Sequence, residues 1–381
     1  MRKLASEIAK RFRWYRTEPL LRALYSLGLN PRRWAASETY DGLMALGRAG
    51  EAVGRPNEAI SAYEAALAIE PTDSIAATAR AILLLRRAWG NPLPSPPDKH
   101  QTINPSGRIT MRSLGRNGRF GNQIFQYGYL RLYGHVHRLQ VEVPEWIGRW
   151  LFDLDDPLPG DLLPRVAENK DLIGPALSKD APQMLANRDV EGWCQCHTSY
   201  FNPHRELFRT LFRPGVRLQP IVDRAMARLK TLGRTLVAVH VRRGDYIGGE
   251  LFWATPSSWY LEWLREIWQS LEGPLLYVAS DDASVYREFA DFSPITAQDL
   301  DVTIPGAEMY PDFCVLACAD ILAISNSSFS VTAAMLNEKA RSFVRPAPIE
   351  RRLVPFDPWS TTVLLSSTWR SVPNCNQAGP G

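Results

Sequence analysis

The chain has 381 residues, 45% of them hydrophobic and 22% charged, with a formal net charge of +4. That length allows two or three domains, and the balance is that of an ordinary globular protein, too mildly basic to argue for a nucleic-acid partner. Arginine far outnumbers lysine, which suits bidentate grip on carboxylate or phosphate.

Residues 1–33 carry nine Lys or Arg against two acidic residues, with Leu4, Ile8, Phe12, Leu20, Leu24 and Leu27 near helical spacing. Such a basic amphipathic stretch can lie on an anionic membrane surface, or pack on the segment that follows. Next comes "LMALGRAGEAVGRPNEAISAYEAALAIEP". Leu46, Gly47, Gly54, Ala59, Tyr63, Ala66 and Pro71 fall on the small and large positions of a tetratricopeptide-like repeat, about residues 40–73. The small residues let two antiparallel helices approach, Tyr63 fills the gap, and Pro71 ends the second helix. "DSIAATARAILLLRRAW" then reads as a helix covering the open face. This segment is expected to be either a docking surface for a protein partner or a helical cap on the main domain.

A proline-rich stretch, 90–107, reads as a linker and domain boundary. Beyond it strands and helices alternate. "RITMRSL", "QVEVP", "TLVAVHVRRGDY" and "PLLYVASDD" read as strands, "SSWYLEWLREIWQSL" as a helix, and "DFCVLACADILAIS" as a helix running into a strand. This rhythm predicts an α/β fold with mainly parallel sheets, in which ligands bind beyond the C-terminal ends of the strands. No apolar run is long enough to span a bilayer, and the N-terminus lacks a signal-peptide core. The five cysteines show no disulfide or zinc pattern, and Cys314 and Cys318 read as buried thiols. A cytoplasmic setting is expected, with peripheral contact at the inner membrane face through the basic N-terminus.

A glycine-rich loop and three polar clusters stand out after the strands. "GRNGRFGNQIFQYGYLRLYG" places Gly115, Gly118 and Gly121 three apart before an aromatic helix; it matches neither phosphate-loop fingerprint. In "VAVHVRRGDYIGGE" a β-branched strand delivers His240, Arg242, Arg243 and Asp245 to a rim. Adjacent arginines there are costly unless they meet anions, and a diphosphate satisfies them; the alternative is an internal Arg–Asp ion pair. "LYVASDD" ends in Ser280, Asp281 and Asp282, a pair that can hold a cation, take a proton or a guanine edge, or cap a helix. In "ISNSSFSVTAAMLN", Ser325 to Ser328 offer hydroxyls at a helix N-terminus, a ready anion site.

In this order, "GRFGNQIFQYG", "HVRRGDY", "SDD" and "DFCVLACADILAISNSSFS…AAMLN" resemble the α-1,2-fucosyltransferases of glycosyltransferase family 11, over about residues 108–349. They are more distantly similar to the α-1,6- and protein O-fucosyltransferases. The resemblance implies a GT-B-like fold of two Rossmann-type halves, with 108–230 the acceptor-side half and 231–349 the GDP-sugar-binding half. The helical region 1–89 would precede them, and a C-terminal segment, 350–381, would follow with a flexible end. It also implies a GDP-fucose donor, a glycan acceptor, inversion at the fucose anomeric carbon, and no obligatory metal or other cofactor. By position, Arg242 matches the arginine that binds the β-phosphate, with His240 and Arg243 beside it. Asp282 matches the acidic residue facing guanine, with Asp281 the alternative. Ser327, Ser328 and Phe329 match a donor-side segment, and Asn122 and Gln123 the first motif. Val331 and Thr332 depart from the tryptophan pair typical of the family, which bears on acceptor and linkage.

Inversion needs one general base near the acceptor hydroxyl. Asp245, which lies within the motif, is the first candidate and Glu250, at the offset of the base in the related α-1,6 pattern, the second, with Arg242 the catalytic cation. Arg119, Asn122 and Gln123 are expected to face the cleft on the sugar side. Two "DLD" stretches, 153–155 and 299–301, do not follow buried strands as a metal-holding D-x-D would. The expected activity is fucosyl transfer to a glycan, in bacterial surface polysaccharide synthesis. The alternatives are a protein hydroxyl acceptor, another GDP-sugar donor, or an inactive repeat-bearing scaffold.

Overall fold

The computed structural model describes residues 21–22, 39–99, 104–247 and 252–365. Apart from Leu21 and Arg22, the basic N-terminal stretch lies outside the described residues, as do Glu250, Cys375 and the chain end.

The helical region is a hairpin, α1 (Tyr40–Ala52) and α2 (Pro56–Ile69), followed by α3 (Ser74–Trp89). Thr39 and Asp73 cap α1 and α3 by accepting from backbone N–H groups. Close packing of α1 on α2 depends on Gly47: a Cβ there would lie 2.4 Å from the ring of Tyr63, which is 1% exposed. Helix α3 has two working faces. Ala76, Leu83 and Leu84 bury against the hairpin, whereas Ala81 and Leu85 belong to the core of the domain that follows.

Two sheets make up the rest. In the first half, β1 (Gly107–Thr110), α4 (Phe120–His137), β2 (Leu139–Glu142), β3 (Arg165–Ala167) and β4 (Arg188–Glu191) give a parallel sheet of order β2-β1-β4-β3. Helices α5 (Arg205–Leu211) and α6 (Gln219–Leu232) lead to the second half. There β5 (Thr235–Val241), α7 (Ser257–Ile267), β6 (Pro274–Ser280), α8 (Tyr310–Cys318), β7 (Ile321–Ala323), α9 (Ser328–Leu336), β8 (Ser342–Ala347) and β9 (Arg352–Pro355) form a sheet of order β6-β5-β7-β8-β9. Only the β8–β9 pair is antiparallel. The expected α/β fold with two parallel-sheet halves is what the chain adopts.

Strand β5 shows why the pattern works. Val237, Val239 and Val241 face Trp259, Tyr260 and Trp263 of α7, while Leu236 and Ala238 face the core shared by both halves. Each fully buried aliphatic chain contributes roughly 1.5–3 kcal/mol. His240 falls on the second face, and this period of two aims it at the seam.

The proline-rich stretch behaves differently from a linker. Among its described residues, Lys99 is 3% exposed and its ammonium donates to the carbonyls of Phe152 (2.7 Å) and Arg213 (2.9 Å). Ser95 accepts from the Asp155 N–H, and the Gly90 carbonyl accepts from Trp150. The segment, which ends in a tight helical turn at Pro97–Lys99, lies along the first half and satisfies backbone groups of that half. After β9 the chain returns to the first half: Thr361 and Thr198 exchange hydrogen bonds of 2.8 and 2.9 Å, and Trp359 packs edge-on against Phe208.

Candidate active site

Both sheets reverse their strand order beside the seam, at β1/β4 in one half and β5/β7 in the other. Such switch points are where α/β sheets open a crevice, and each half supplies one wall.

From the first half comes the glycine loop. Gly115 and Gly118 both sit at φ +79°, a left-handed conformation that turns the chain from β1 into α4. Gly121 is needed for another reason: a Cβ there would lie 2.4 Å from the backbone nitrogen of Phe329. The first turn of α4 therefore rests directly on the N-terminus of α9. Asn122 completes the contact, accepting from the Ser328 hydroxyl and from the Gln195 amide, both at 2.6 Å. Arg119 is exposed at the mouth; its carbonyl accepts from the Asn122 and Gln123 N–H groups, while its guanidinium makes no hydrogen bond or ion pair among the described residues. Partial desolvation, and then the positive charge of Arg242, lower its pKa, while Asp245 and Asp281 oppose them. Arg119 thus reaches toward the second half's charges.

From the second half, β5 ends at Arg242 and Arg243, and their side chains diverge. The Arg242 guanidinium bonds Asp245 and, at 2.7 Å, Asp281, with its Cζ 5.3 Å from the centre of the Tyr246 ring. Tyr246 ties this loop to the β7 end through the Asn326 carbonyl at 2.9 Å. Arg243 turns away: it donates to the Thr255 carbonyl and the Ser257 hydroxyl, each at 2.7 Å, and lies near Glu288. It clamps the approach to α7 and leaves Arg242 as the cleft-facing guanidinium of the pair.

The aspartates after β6 divide their roles. Asp281 accepts from the Arg243 N–H at 2.8 Å as well as from Arg242. Asp282 accepts from the Ser284 N–H and hydroxyl through Oδ1, which lowers its pKa, and its Oδ2 makes no hydrogen bond among the described residues. His240 is 5% exposed, bonded through Nδ1 to Ser325 at 2.8 Å and 5.2 Å from the Phe329 ring. Desolvation, aided by Arg242, pushes its pKa down to about 3, so it stands neutral at the seam.

Two expectations change here. Gln123 does not face the cleft; it is 3% exposed and donates to Thr78 of α3 and to the Gly118 carbonyl. One residue along a helix is a rotation of about 100°, which separates it from Asn122. The serine run is also not an open anion site. Ser325 serves His240, Asn326 holds the backbone of Leu365, Ser327 caps α9, and Ser328 serves Asn122. Gly121 covers that helix end, so the hydroxyls build the seam.

Other contributors carry no signal in the sequence. Glu168, just after β3, and Trp193 and Gln195, just after β4, line the first-half wall; the "RDVE" of β4 has one aliphatic residue and little periodic signal. Helix α3 buttresses the glycine loop: Ser74 donates to the Arg116 carbonyl at 2.7 Å, and Thr78 lies against Gly115. No group of three or more His, Cys, Asp or Glu that could hold a metal occurs among the described residues, and no described helix is long and apolar enough to cross a membrane.

Solved structures overlap with the chain only distantly. NodZ from Bradyrhizobium, a fucosyltransferase, shares 12% identity with a TM-score of 0.41, covering 66% of this chain and 97% of that one. POFUT1 in complex with GDP shares 14% with a TM-score of 0.40, covering 63% and 97%. A variant of Arabidopsis thaliana FUT1 in complex with GDP shares 11% with a TM-score of 0.41, covering 71% and 75%. No curated protein sequence matches the chain significantly. The family profile is decisive: the sequence profile of glycosyl transferase family 11 matches residues 82–346, which begins inside α3 and takes in the proline-rich stretch. The chain belongs to glycosyl transferase family 11, and is therefore an enzyme that transfers a glycosyl group.

Proposed function

We propose that the enzyme transfers L-fucose from GDP-fucose to a glycan hydroxyl with inversion at the anomeric carbon. One observation supports this above the rest: Arg119 and Arg242 reach one crevice from opposite halves, and after desolvation the positive charge of Arg242 is what lowers the Arg119 pKa. A diphosphate placed between them relieves that repulsion and gives Arg242 a bidentate partner. As the C1–O bond to the diphosphate breaks, the developing negative charge falls on oxygens that Arg242 already faces. The acceptor oxygen bonds C1 from the opposite side, its proton passes to a carboxylate, and GDP departs.

Asp281 and Asp245 orient Arg242, since both bond its guanidinium. That pairing commits Asp245 to the arginine and favours Glu250 as the proton acceptor. The open Oδ2 of Asp282 suits the N–H edge of guanine. His240, Asn122, Ser327, Ser328 and Phe329 act as the framework of the donor pocket, and Arg243 holds the loop that carries Arg242. The order of the motifs favours a galactoside α-1,2-fucosyltransferase-like reaction serving surface polysaccharide synthesis, in the cytoplasm. The helical hairpin is read as a tetratricopeptide-like unit whose third helix is built into the catalytic domain.

The test is product analysis after incubating the protein with GDP-fucose and a glycan mixture. An α-fucoside with stoichiometric GDP is expected from the β-linked donor; a β-fucoside, or turnover of another GDP-sugar in preference, would overturn the assignment.

A further inference from the structure

Trp193 is the one tryptophan exposed among the described residues, at 41% of its surface. An exposed indole offers an apolar face with a polar N–H edge to any ligand that reaches it. Its setting is rigid. Glu168 Oε2 accepts from the N–H groups of Trp193 (2.8 Å) and Cys194 (2.7 Å), and Gln126 donates to the Gly192 carbonyl at 3.0 Å. Gln195 is tied to Asn122 at 2.6 Å. Cys194 sits in the left-handed region at φ +55° with its side chain fully buried, a conformation unfavourable for a residue with a Cβ. The turn is thus held, against local preference, in a form that leaves the indole facing out.

The ring stands against the glycine loop. A Cβ on Gly118 would lie 2.5 Å from Trp193 Cζ3, and the next residue is Arg119. Trp193 therefore borders the arginine crevice on the first-half wall. An indole face attracts polarised C–H groups and needs no charge on its partner. A pyranose ring presents such a face, most continuously where an axial hydroxyl leaves the hydrogens of C3, C4 and C5 on one side, as in a galactoside.

We propose that Trp193 is the platform on which the acceptor sugar stacks, and that Glu168 is the positioning residue that holds it. This rests on the sugar-transfer reading above. The probe is lactose, in transfer assays with GDP-fucose beside calorimetric binding of GDP. Trp193→Ala is expected to raise the lactose KM about tenfold with kcat within threefold, the scale of losing one aromatic anchor. Trp193→Phe should recover most of that loss. Glu168→Ala should reproduce the KM defect, and Glu168→Gln, which keeps an accepting oxygen, should not. GDP affinity and the thermal midpoint should stay at the parent values in the Trp193 variants. An unmoved lactose KM in Trp193→Ala, or a parallel fall in GDP affinity, would overturn the platform. So would a parent that binds GDP yet transfers to no galactoside, glucoside, mannoside or N-acetylhexosaminide. A parent that does not bind GDP would instead remove the donor reading and this proposal together.

Discussion

The Ser328 hydroxyl donates to the Asn122 side-chain oxygen at 2.6 Å, and that bond joins the second half to the first at the crevice floor. Asn122 also receives Gln195, so one amide oxygen holds three segments in register. Asn122→Ala leaves two donors unpaired and should destabilise the fold by roughly 1–3 kcal/mol. A double-mutant cycle with Ser328→Ala, read by urea unfolding, should return a coupling of about 0.5–1.5 kcal/mol. Strict additivity would show that the bond does not link the halves in solution.

Gly121 makes the same seam by the absence of a side chain. Gly121→Ala drives a methyl into the backbone of Phe329, which cannot swing aside as a flexible side chain would. The expected cost is on the order of 1–3 kcal/mol, with donor affinity reduced because the two walls separate. Unchanged thermal midpoint and GDP affinity would mean the helices slide past each other freely.

Lys99 tests whether the proline-rich stretch is part of the fold. Lys99→Met keeps the length and removes the donor for the Phe152 and Arg213 carbonyls. Two buried acceptors then lose their partner, and a loss of about 2–4 kcal/mol is expected. Burial lowers the Lys99 pKa to about 8, so a flexible linker, with no such burial, would predict no change in unfolding at all.

His240 should make stability depend on acidity. Its folded pKa of about 3 lies below the unfolded value of roughly 6.5. Between those limits the unfolded chain binds the extra proton, so stability falls as pH drops from 6.5 toward 3, by on the order of 1 kcal/mol per pH unit. Asp312 acts in the opposite sense. Burial lifts its pKa from 3.8 to about 6, so the folded state holds more protons there and stability falls as pH rises through that window. The difference between the parent and His240→Asn isolates the histidine. The parent should lose ground progressively below pH 6.5; parallel unfolding curves at every pH would contradict a neutral, buried imidazole.

The residues that announce themselves in the sequence are those whose chemistry conflicts with their location. Arg242 after a run of valines, and glycines spaced three apart before an aromatic helix, are costly patterns, and both mark walls of the crevice. What stays hidden depends on direction. Arg243 and Gln123 adjoin Arg242 and Asn122 in sequence, yet their side chains leave the cleft, because neighbours on a strand end or a helix diverge. Trp193 stays hidden because β4 carries a single valine, Val190, and no periodic pattern marks it as a strand. The proline-rich stretch misleads for a related reason: its composition reports an extended backbone, whereas Lys99 and Ser95 decide that it is packed.

Calorimetric titration with GDP tests the central claim most directly, that guanidinium groups from opposite halves hold the leaving diphosphate. The parent should bind GDP, and Arg242→Ala should bind it at least about a hundredfold more weakly, the scale of losing one charge-paired anchor. No binding by the parent, or equal binding by the variant with an intact fold, would contradict it.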